Sequence, residues 1–508
     1  MQSIKGYCLI ALLSLLASCS MSLDEVSENP NRSEVTNPGN LLTYVLLDTF
    51  GPVYYGYNRQ IDNYYIDWRF GGSHLNWNRR SFTADYRRLT IIDLMKEEAE
   101  RVDLKAYIPI GQFLEAYWMF NITRLYGDVP FSQANKLDEG LSNPSYDQQE
   151  DIIYSILKKL EEANNGLASL GGEQIQGDVI YDGDLAKWRK LVNMFRLRVL
   201  INLTTKTSVK DIDVQDLFAQ IVDDQANNPL MGQLDDSPIL YEEDNPDNYY
   251  IYSNNNFISG IRITQFLAEY MKDHRDVRLM EFAQPTIYAE ENDLDPDDFN
   301  NYYGTNPWPK QSNNSNYPLE DSKKVSRVNN KYHRNPVGPP TMVIGYPEQQ
   351  FILAEAALRG WIQDAPDTHF DLGVRASYAF FGIGESEAEA YLSQENVKLL
   401  GDEEEMFERI ISEKYLNFFM QGGYEPYFEI RRTGYPDFGK YVEPDISTLY
   451  NNGNLPLRYL YPLGEVTDNQ SNLAQAVSRL DQGDNIFSKM WMIQGEDILK
   501  NPSPFPYH

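Results

Sequence analysis

The stretches YPEQQFILAEAALRGW (residues 346–361) and THFDLGVRASYAFFGI (residues 368–383) lie almost end to end and read as a helix, a turn and a second helix. A third stretch, EEMFERIISEKYLNFFMQGG (residues 404–423), continues the helical run. The same grammar holds toward the N-terminus. In KAYIPIGQFLEAYWMFNITRLYG (residues 105–127), Phe113, Ala116, Tyr117 and Phe120 follow the i, i+3, i+4, i+7 rule of a buried helix face, and Gly127 with Pro130 ends the helix. YDQQEDIIYSILKKLEEA (residues 146–163) opens with Asp147 and Glu150 at capping-box spacing and repeats apolar residues at Ile153, Ile156, Leu157 and Leu160. GDLAKWRKLVNMFRLRVLINL (residues 183–203) puts Trp188, Leu191, Val192, Phe195 and Val199 on one stripe. These patterns predict a mostly α fold of paired helices, with a helical scaffold over about 39–210 and 346–430.

Between the two helical regions the pattern changes. LYEEDNPDNYYIYSNNNF (residues 240–257) and DLDPDDFNNYYGTNPWPKQSNNSNY (residues 293–317) are crowded with Asn, Asp, Pro and Tyr, and one helix, around 261–282, is expected to interrupt them. Turn formers are dense here and apolar periodicity is weak, so residues of about 235–345 read as a loop-rich excursion. The many aromatics argue against disorder.

The N-terminal LLSLLASCSMSLDE (residues 12–25) bears on compartment. Lys5 is the single charge in residues 1–18, and residues 7–17 are apolar or small. That run is shorter than the roughly 20 residues a bilayer-spanning helix needs, and a charged start, short apolar middle and small-residue exit describe a secretory signal. The Leu16-Ala17-Ser18-Cys19 run resembles a bacterial lipobox, in which cleavage before the cysteine leaves a lipid-bearing N-terminal Cys19. Residues 1–18 are therefore read as a lipoprotein signal peptide and residues 19–508 as one domain, anchored to a membrane by its lipid. Cys8 falls in the removed segment, which leaves no thiol for a disulfide framework or a thiolate catalyst. Asp24, Glu25 and Glu28 after the cysteine resemble the acidic export tag of surface lipoproteins, so the outer face of the outer membrane is the expected location. With 44 Lys plus Arg against 75 Asp plus Glu and a formal charge of −31, the chain repels phosphate backbones, and nucleic acid is excluded as a partner.

Several segments together carry a family resemblance: YGDVPFSQA (residues 126–134), NPSYDQQEDIIYSIL (143–157), DGDLAKWRKLVNMFRLR (182–198), FILAEAALRGW (351–361), RRTGYP (431–436), LPLRYLYP (455–462) and GDNIFSKMWM (483–492). In that order, and with NPNRSEVTNPGNLL (residues 29–42) ahead of them, they resemble the SusD/RagB family of surface lipoproteins, in particular its SusD-like branch. The resemblance implies a tetratricopeptide-like scaffold of paired helices bearing long irregular ligand-binding loops, although no strict repeat period runs through the chain. It also implies a lid on a SusC-like TonB-dependent outer-membrane transporter, which catches oligosaccharides, or in some members peptides or glycopeptides, and performs no chemistry.

The family motifs identify the scaffold without naming the ligand contacts, so these come from physical chemistry. A neutral sugar offers C–H faces that stack on aromatic rings and hydroxyls that pair with amides, carboxylates and guanidinium groups. Trp118, Trp188 and Trp361 fall within helical patterns and read as core, and Trp491 sits in the family's C-terminal motif. Trp68, Trp77 and Trp308 remain in polar surroundings. Trp77 is flanked by Asn76 and Asn78; Trp308 is near Tyr302, Tyr303, Asn306 and Lys310. The expected ligand-binding set is Trp77, Trp308, Tyr302, Tyr303, Asn76, Asn306 and Trp68.

Rival functions fare worse. Glycoside hydrolysis needs two carboxyl groups about 5–9.5 Å apart, and no hydrolase-like pattern is present, so no catalysis is expected. A scaffold that binds only protein would lack exposed aromatic platforms. Asp293, Asp295 and Asp297 match the start of a calcium loop, but Asp298 stands where glycine is required and Gly304 where the bidentate glutamate belongs, which excludes an EF-hand and leaves a structural Ca²⁺ of another kind open. The histidines, 74, 274, 333, 369 and 508, form no HExxH pair, so no metal centre and no cofactor are expected. Arg431 and Arg432 read as structural anchors, not as a clamp for a ligand carboxylate.

If Cys19 is the lipid-bearing residue, labelled palmitate enters wild-type protein but not Cys19→Ala. Equal labelling of the two proteins refutes the assignment. Replacing Asp24, Glu25 and Glu28 together by Ala is expected to leave the lipid in place while reducing protease access on whole cells.

Overall fold

Asn37 starts the first helix by accepting the Gly39 amide at 2.8 Å on its side chain, with Pro38 in the first turn where its missing N–H leaves nothing unpaired. The computed structural model describes residues 36–51, 62, 64–67, 77–137, 139–241, 244, 261–306, 323–332, 334–335, 337–441, 454–497 and 499–501; Cys19 and the expected signal segment lie outside them. After α1 (Pro38–Phe50) come a short strand β1 (Tyr65–Asp67) and then α2 (Thr83–Arg101), α3 (Tyr107–Tyr126), α4 (Gln149–Ser169) and α5 (Leu185–Ile201). Each of these helices packs on the next in sequence. The expected stripes face inward: Phe113, Ala116 and Phe120 on α3, Ile153, Ile156, Leu157 and Leu160 on α4, and Trp188, Leu191, Val192, Phe195 and Val199 on α5 are all buried. Gly127 ends α3 with φ 88°, a conformation that costs a Cβ-bearing residue dearly.

One expected cap is absent. The Asp147 carboxylate accepts the Phe131 and Ser132 amides at 2.8 and 2.9 Å and the Ser132 hydroxyl at 2.6 Å, so it ties down the turn after α3 in place of capping α4. Glu150 likewise turns away, accepting the Lys210 amide.

Beyond α5 the chain forms a hairpin of β2 (Ser208–Val209) and β3 (Ile212–Asp213), then α6 (Val214–Asp223). The excursion follows, with β4 (Ile261–Ile263), α7 (Gln265–Asp273), α8 (Arg278–Phe282) and α9 (Ile287–Glu291). The single helix expected around 261–282 is therefore a strand and two helices. The Thr264 hydroxyl accepts the Leu267 amide at 3.3 Å to begin α7, Arg275 turns to φ 47°, and Asp276 accepts the Arg278 amide at 3.0 Å to begin α8. The break is held by a buried cluster in which Arg278 pairs with Asp276 at 2.6 Å and Glu413 at 2.7 Å.

The chain returns to the scaffold with α10 (Tyr346–Leu358) and α11 (Pro366–Phe380), the helix pair read from residues 346–383, followed by α12 (Glu385–Leu392) and α13 (Glu403–Asn417). Gly373 lets α11 lie against α10, since a Cβ there would sit 2.7 Å from the Phe351 ring. Asp402 and Glu405 form a capping box at the start of α13. Helix α10 packs on α5 as well as on α11 and α13, which closes the two halves of the scaffold into one row of paired helices. Then come α14 (Glu425–Thr433), α15 (Leu463–Asp468) and α16 (Gln470–Val477).

Buried ion pairs cross this seam. Arg198 of α5 grips Glu348 of α10 through two nitrogens, one at 2.7 Å, and Arg124 of α3 grips Glu425 of α14, with one bond at 2.8 Å. Arg432 donates to both oxygens of Glu355 at 2.6 and 2.7 Å and to Glu429 at 2.6 Å, while Arg359 bridges Glu355 and Asp497. Arg431 donates to the Arg124 and Leu457 carbonyls, both at 2.7 Å. The RRTGYP arginines, in the last turn of α14, are structural anchors as expected. LPLRYLYP joins the same knot, because Arg458 donates to the Tyr126 carbonyl and to Asp484, and the Tyr459 amide to the Leu125 carbonyl.

Removing one partner of such a pair strands a charge without water, at a cost of about 3–5 kcal/mol. Arg432→Met is expected to lower the free energy of urea unfolding by that order; a change below about 1 kcal/mol contradicts it. Burial raises the Glu429 carboxyl, but Arg432 and Lys414 outweigh it and hold it at about 2; burial also raises Asp497, which Arg359 brings down to about 2. Both folded values lie below the unfolded ones, so the stabilisation is complete above about pH 5 and is lost as pH falls toward about 2. Urea midpoints measured across that window check the sign.

Candidate functional site

Four stretches of chain meet at the three residues that open α7. Beside β4, β1 runs antiparallel in the register Tyr65↔Ile263, Ile66↔Arg262 and Asp67↔Ile261. The Thr264 amide donates to the Tyr64 carbonyl at 3.1 Å, the Thr305 amide to Ile263 at 2.9 Å, and the Gln265 amide to Thr305 at 2.8 Å. From the other side the Ile263 amide donates to the Ser326 carbonyl at 3.2 Å, and the Gln265 side chain donates to the Tyr441 carbonyl at 3.0 Å. Buried backbone groups must find partners, and here each short segment supplies those of the next without a long sheet. Gly304 permits the approach, because a Cβ at that position would fall 2.0 Å from the Thr264 carbonyl oxygen.

Tyr303 stands on this patch. Its amide donates to the Ser326 hydroxyl at 3.3 Å and its carbonyl accepts the Ser326 amide at 2.8 Å, so the backbone is held while the side chain remains 48 % exposed. The Lys272 ammonium lies 4.5 Å from the Tyr303 ring centroid and donates to Glu269 at 2.9 Å and to the Tyr302 carbonyl at 3.3 Å. Tyr302 has extended backbone, and in extended chain successive side chains point to opposite sides. Tyr302 accordingly goes inward, 2 % exposed, with its hydroxyl donating to the Pro296 carbonyl at 2.8 Å and its phenol pushed up by burial. The expectation that the Tyr302 ring is open to a ligand is corrected: it is buried, and the exposed ring is that of its neighbour Tyr303. Asn306 is half-buried at the end of the same segment.

Trp77 is also corrected. It is 4 % exposed and stacks on Tyr459 with ring centroids 4.1 Å apart and planes 6° from parallel, with Tyr427 at 4.7 Å. A parallel bridge between Arg79 and Leu460 lays this segment along LPLRYLYP, and the indole becomes the cover of Tyr459. Trp68, Asn76 and Trp308 lie outside the described residues. The described residues nearest to Trp68 and Trp308 in the chain, Asp67 and Asn306, both belong to the segments that meet at α7. Trp188 is core; Trp118 and Trp361 pack against the core, the first with its indole N–H donated to Thr49 at 3.1 Å; Trp491 lies under Lys206 at 4.6 Å.

Lys272, Glu269 and Tyr441 escaped the sequence reading. Lys272 and Glu269 are spaced i, i+3 on a helix and look like an ordinary solvated pair. Tyr441 packs edge-on against Phe266 at 5.6 Å, and burial together with Asp273 pushes its phenol up to about 12; nothing in its local sequence marks it. Two of the aspartates of residues 293–298 cap their own turns, Asp295 accepting the Asp297 amide at 3.0 Å and Asp298 the Asn300 amide at 2.9 Å. Among the described residues no group of three or more His, Cys, Asp or Glu is arranged to hold a metal ion. The patch thus offers an exposed aromatic ring with an ammonium over it and a carboxylate and an amide nearby, which suits stacking and hydroxyl recognition.

Residues 30–462 match the SusD-like family model, described as starch-binding and associating with the outer membrane. Comparison with curated protein sequences gives no match. Among solved structures, a SusD homologue from Bacteroides fragilis is 33 % identical, with 91 % of this chain and 100 % of that one covered and a TM-score of 0.81. An outer membrane protein of Bacteroides vulgatus, described in terms of nutrient binding, is 33 % identical over 90 % of this chain and 100 % of its own, with a TM-score of 0.82. A chitin-binding protein at 23 % identity, 90 % and 100 % coverage and a TM-score of 0.72 shares the fold.

Loss of one stacking ring is worth on the order of 1–3 kcal/mol, roughly 5- to 150-fold in affinity. Tyr303→Ala should weaken retention in native gels containing soluble polysaccharides by that factor, with Tyr303→Phe close to wild type. Trp77→Ala should instead cost about 3–5 kcal/mol of stability. Undiminished retention by Tyr303→Ala across the polysaccharides excludes the ring from the site.

Proposed function

The chain belongs to the SusD-like family, and on that footing we propose that it captures oligosaccharides at the patch around Tyr303 and passes them to a separate SusC-like TonB-dependent transporter, with no chemistry of its own. The outer-membrane association and nutrient-binding character come with the family. The observation that carries the site is the exposed Tyr303 ring, set beside Lys272 where four chain segments converge. A sugar can lie on such a ring with its hydroxyls over the Lys272–Glu269 pair. The formal charge of −31 favours neutral over polyanionic glycans, because a strongly acidic surface repels sulfate and carboxylate groups.

The reading of a separate barrel rests on the architecture. Passage of a polar solute through the outer membrane needs a closed, water-lined structure. The described residues form a row of helices with short two-stranded pairs, and no helix among them is long and apolar enough to cross a membrane. A lipid on Cys19 would keep such a capture protein at the surface beside its transporter.

Gentle detergent extraction should recover the protein together with a TonB-dependent barrel, and deletion of its gene should slow uptake of the oligosaccharide. Recovery as a lone lipoprotein, with uptake unchanged on deletion, refutes the transport role.

A further inference from the structure

One face of α2 is left uncovered by the scaffold. Thr83, Tyr86, Arg87, Thr90 and Ile91 are spaced i, i+3, i+4, i+7, i+8, so they share one side of the helix, and together they form one wall of a groove of about 500 Å³. The opposite wall consists of Pro130, Asn135 and Pro144 from the turns after α3 and Glu465 from α15. This volume falls within the span of small-ligand pockets, about 300–1,000 Å³. The Tyr86 ring is fixed within it, its hydroxyl donating to the Pro130 carbonyl and its edge set against Phe82 at 5.1 Å.

The charges in the groove are unusual for so acidic a chain. Arg80 and Arg88 on either side are paired with Asp85, and Arg88 also with Asp48, yet Arg87 has no carboxylate partner among the described residues. Glu465 uses its Oε2 to accept the Tyr146 hydroxyl at 2.8 Å and the Asn469 amide group at 3.2 Å, while its Oε1 accepts no hydrogen bond from the described residues. A guanidinium and a carboxylate thus line one groove without pairing to each other.

We propose that this groove is a second glycan subsite, on the helical scaffold and apart from the Tyr303 patch, that takes one or two units of a neutral oligosaccharide. The ligand class rests on the glycan reading above; the position does not. A sugar's C–H face fits the Tyr86 ring, and its hydroxyls both donate and accept, so one ring can satisfy Arg87 and Glu465 at once. The balanced pair disfavours a ligand of net charge, and the Tyr86 ring together with groups that both donate and accept favours a polyol.

The test is calorimetric titration of the full-length protein and its Tyr303→Ala, Arg87→Ala and Glu465→Gln variants with maltoheptaose, chitohexaose and xylohexaose, with trialanine as the peptide probe. Circular dichroism establishes that the surface variants fold. The expected result is that at least one of these sugars binds in two classes, of which one survives Tyr303→Ala and is weakened fivefold or more by Arg87→Ala and by Glu465→Gln. Retention of that class in both groove variants overturns the subsite, as does its absence for all three sugars or occupation by trialanine in place of sugar. Weakening by Tyr303→Ala with the groove variants silent leaves the Tyr303 patch standing and removes the groove; the converse removes the patch and leaves the groove.

Discussion

The pairing of Arg198 with Glu348 joins the two halves of the scaffold. The chain leaves the helical row after α5 and comes back with α10, and these two helices, distant in sequence, are where the halves must fit. Apolar side chains supply the area between them but set register only weakly, since one Leu or Ile can often replace another. A two-pronged arginine–carboxylate bond is directional and tolerates little sliding. Around that bond the Arg124–Glu425 and Arg432–Glu355–Glu429 contacts tie α3, α10 and α14 into the same frame. Such pairs add little over a well-packed apolar core, but losing one partner is costly; their main effect here is to specify which helix faces meet.

A frame so specified decides where the excursion emerges. The buried Arg278 cluster, bound to Asp276 and to Glu413 of α13, attaches the excursion to the scaffold, and α7 is thereby presented with its first residues open to backbone pairing. The segments that pair there need little intrinsic strand preference, because a rigid partner is already in place. Tyr303 then owes its exposure to its parity: it follows an inward-facing Tyr302 in extended backbone. A surface of this kind can vary in side chains without disturbing the core, since the frame is held by residues elsewhere.

The aromatic residues divide along the same line. Trp188 on the α5 stripe is buried as helical spacing requires, because in a helix the direction of a side chain follows from its position in the sequence. Trp77 has the same chemistry but sits in irregular chain, where direction follows from whichever segment lies alongside. The partner is Tyr459, far away in sequence, and the polar residues flanking Trp77 gave no sign of it. Polar neighbours are therefore poor evidence of exposure for a ring outside a regular element. The capping role expected of Asp147 failed for a related reason: its carboxylate had a choice between the helix that follows and the turn that precedes, and the turn offered three donors.

By itself the amino-acid order determined the helices, their inward faces, the pairing of residues 346–383, the acidic charge and the family, because each depends on local period, on composition or on motifs written contiguously in the chain. Tertiary structure decided what depends on contacts between distant segments. It broke the helix expected around 261–282 at Arg275, buried Trp77 and Tyr302, left Tyr303 open, and brought Lys272 and Tyr441 to the same patch. The physical reason is the hydrogen bond: irregular backbone takes its partners from any segment the frame brings within about 3 Å, and local sequence does not say which segment that is.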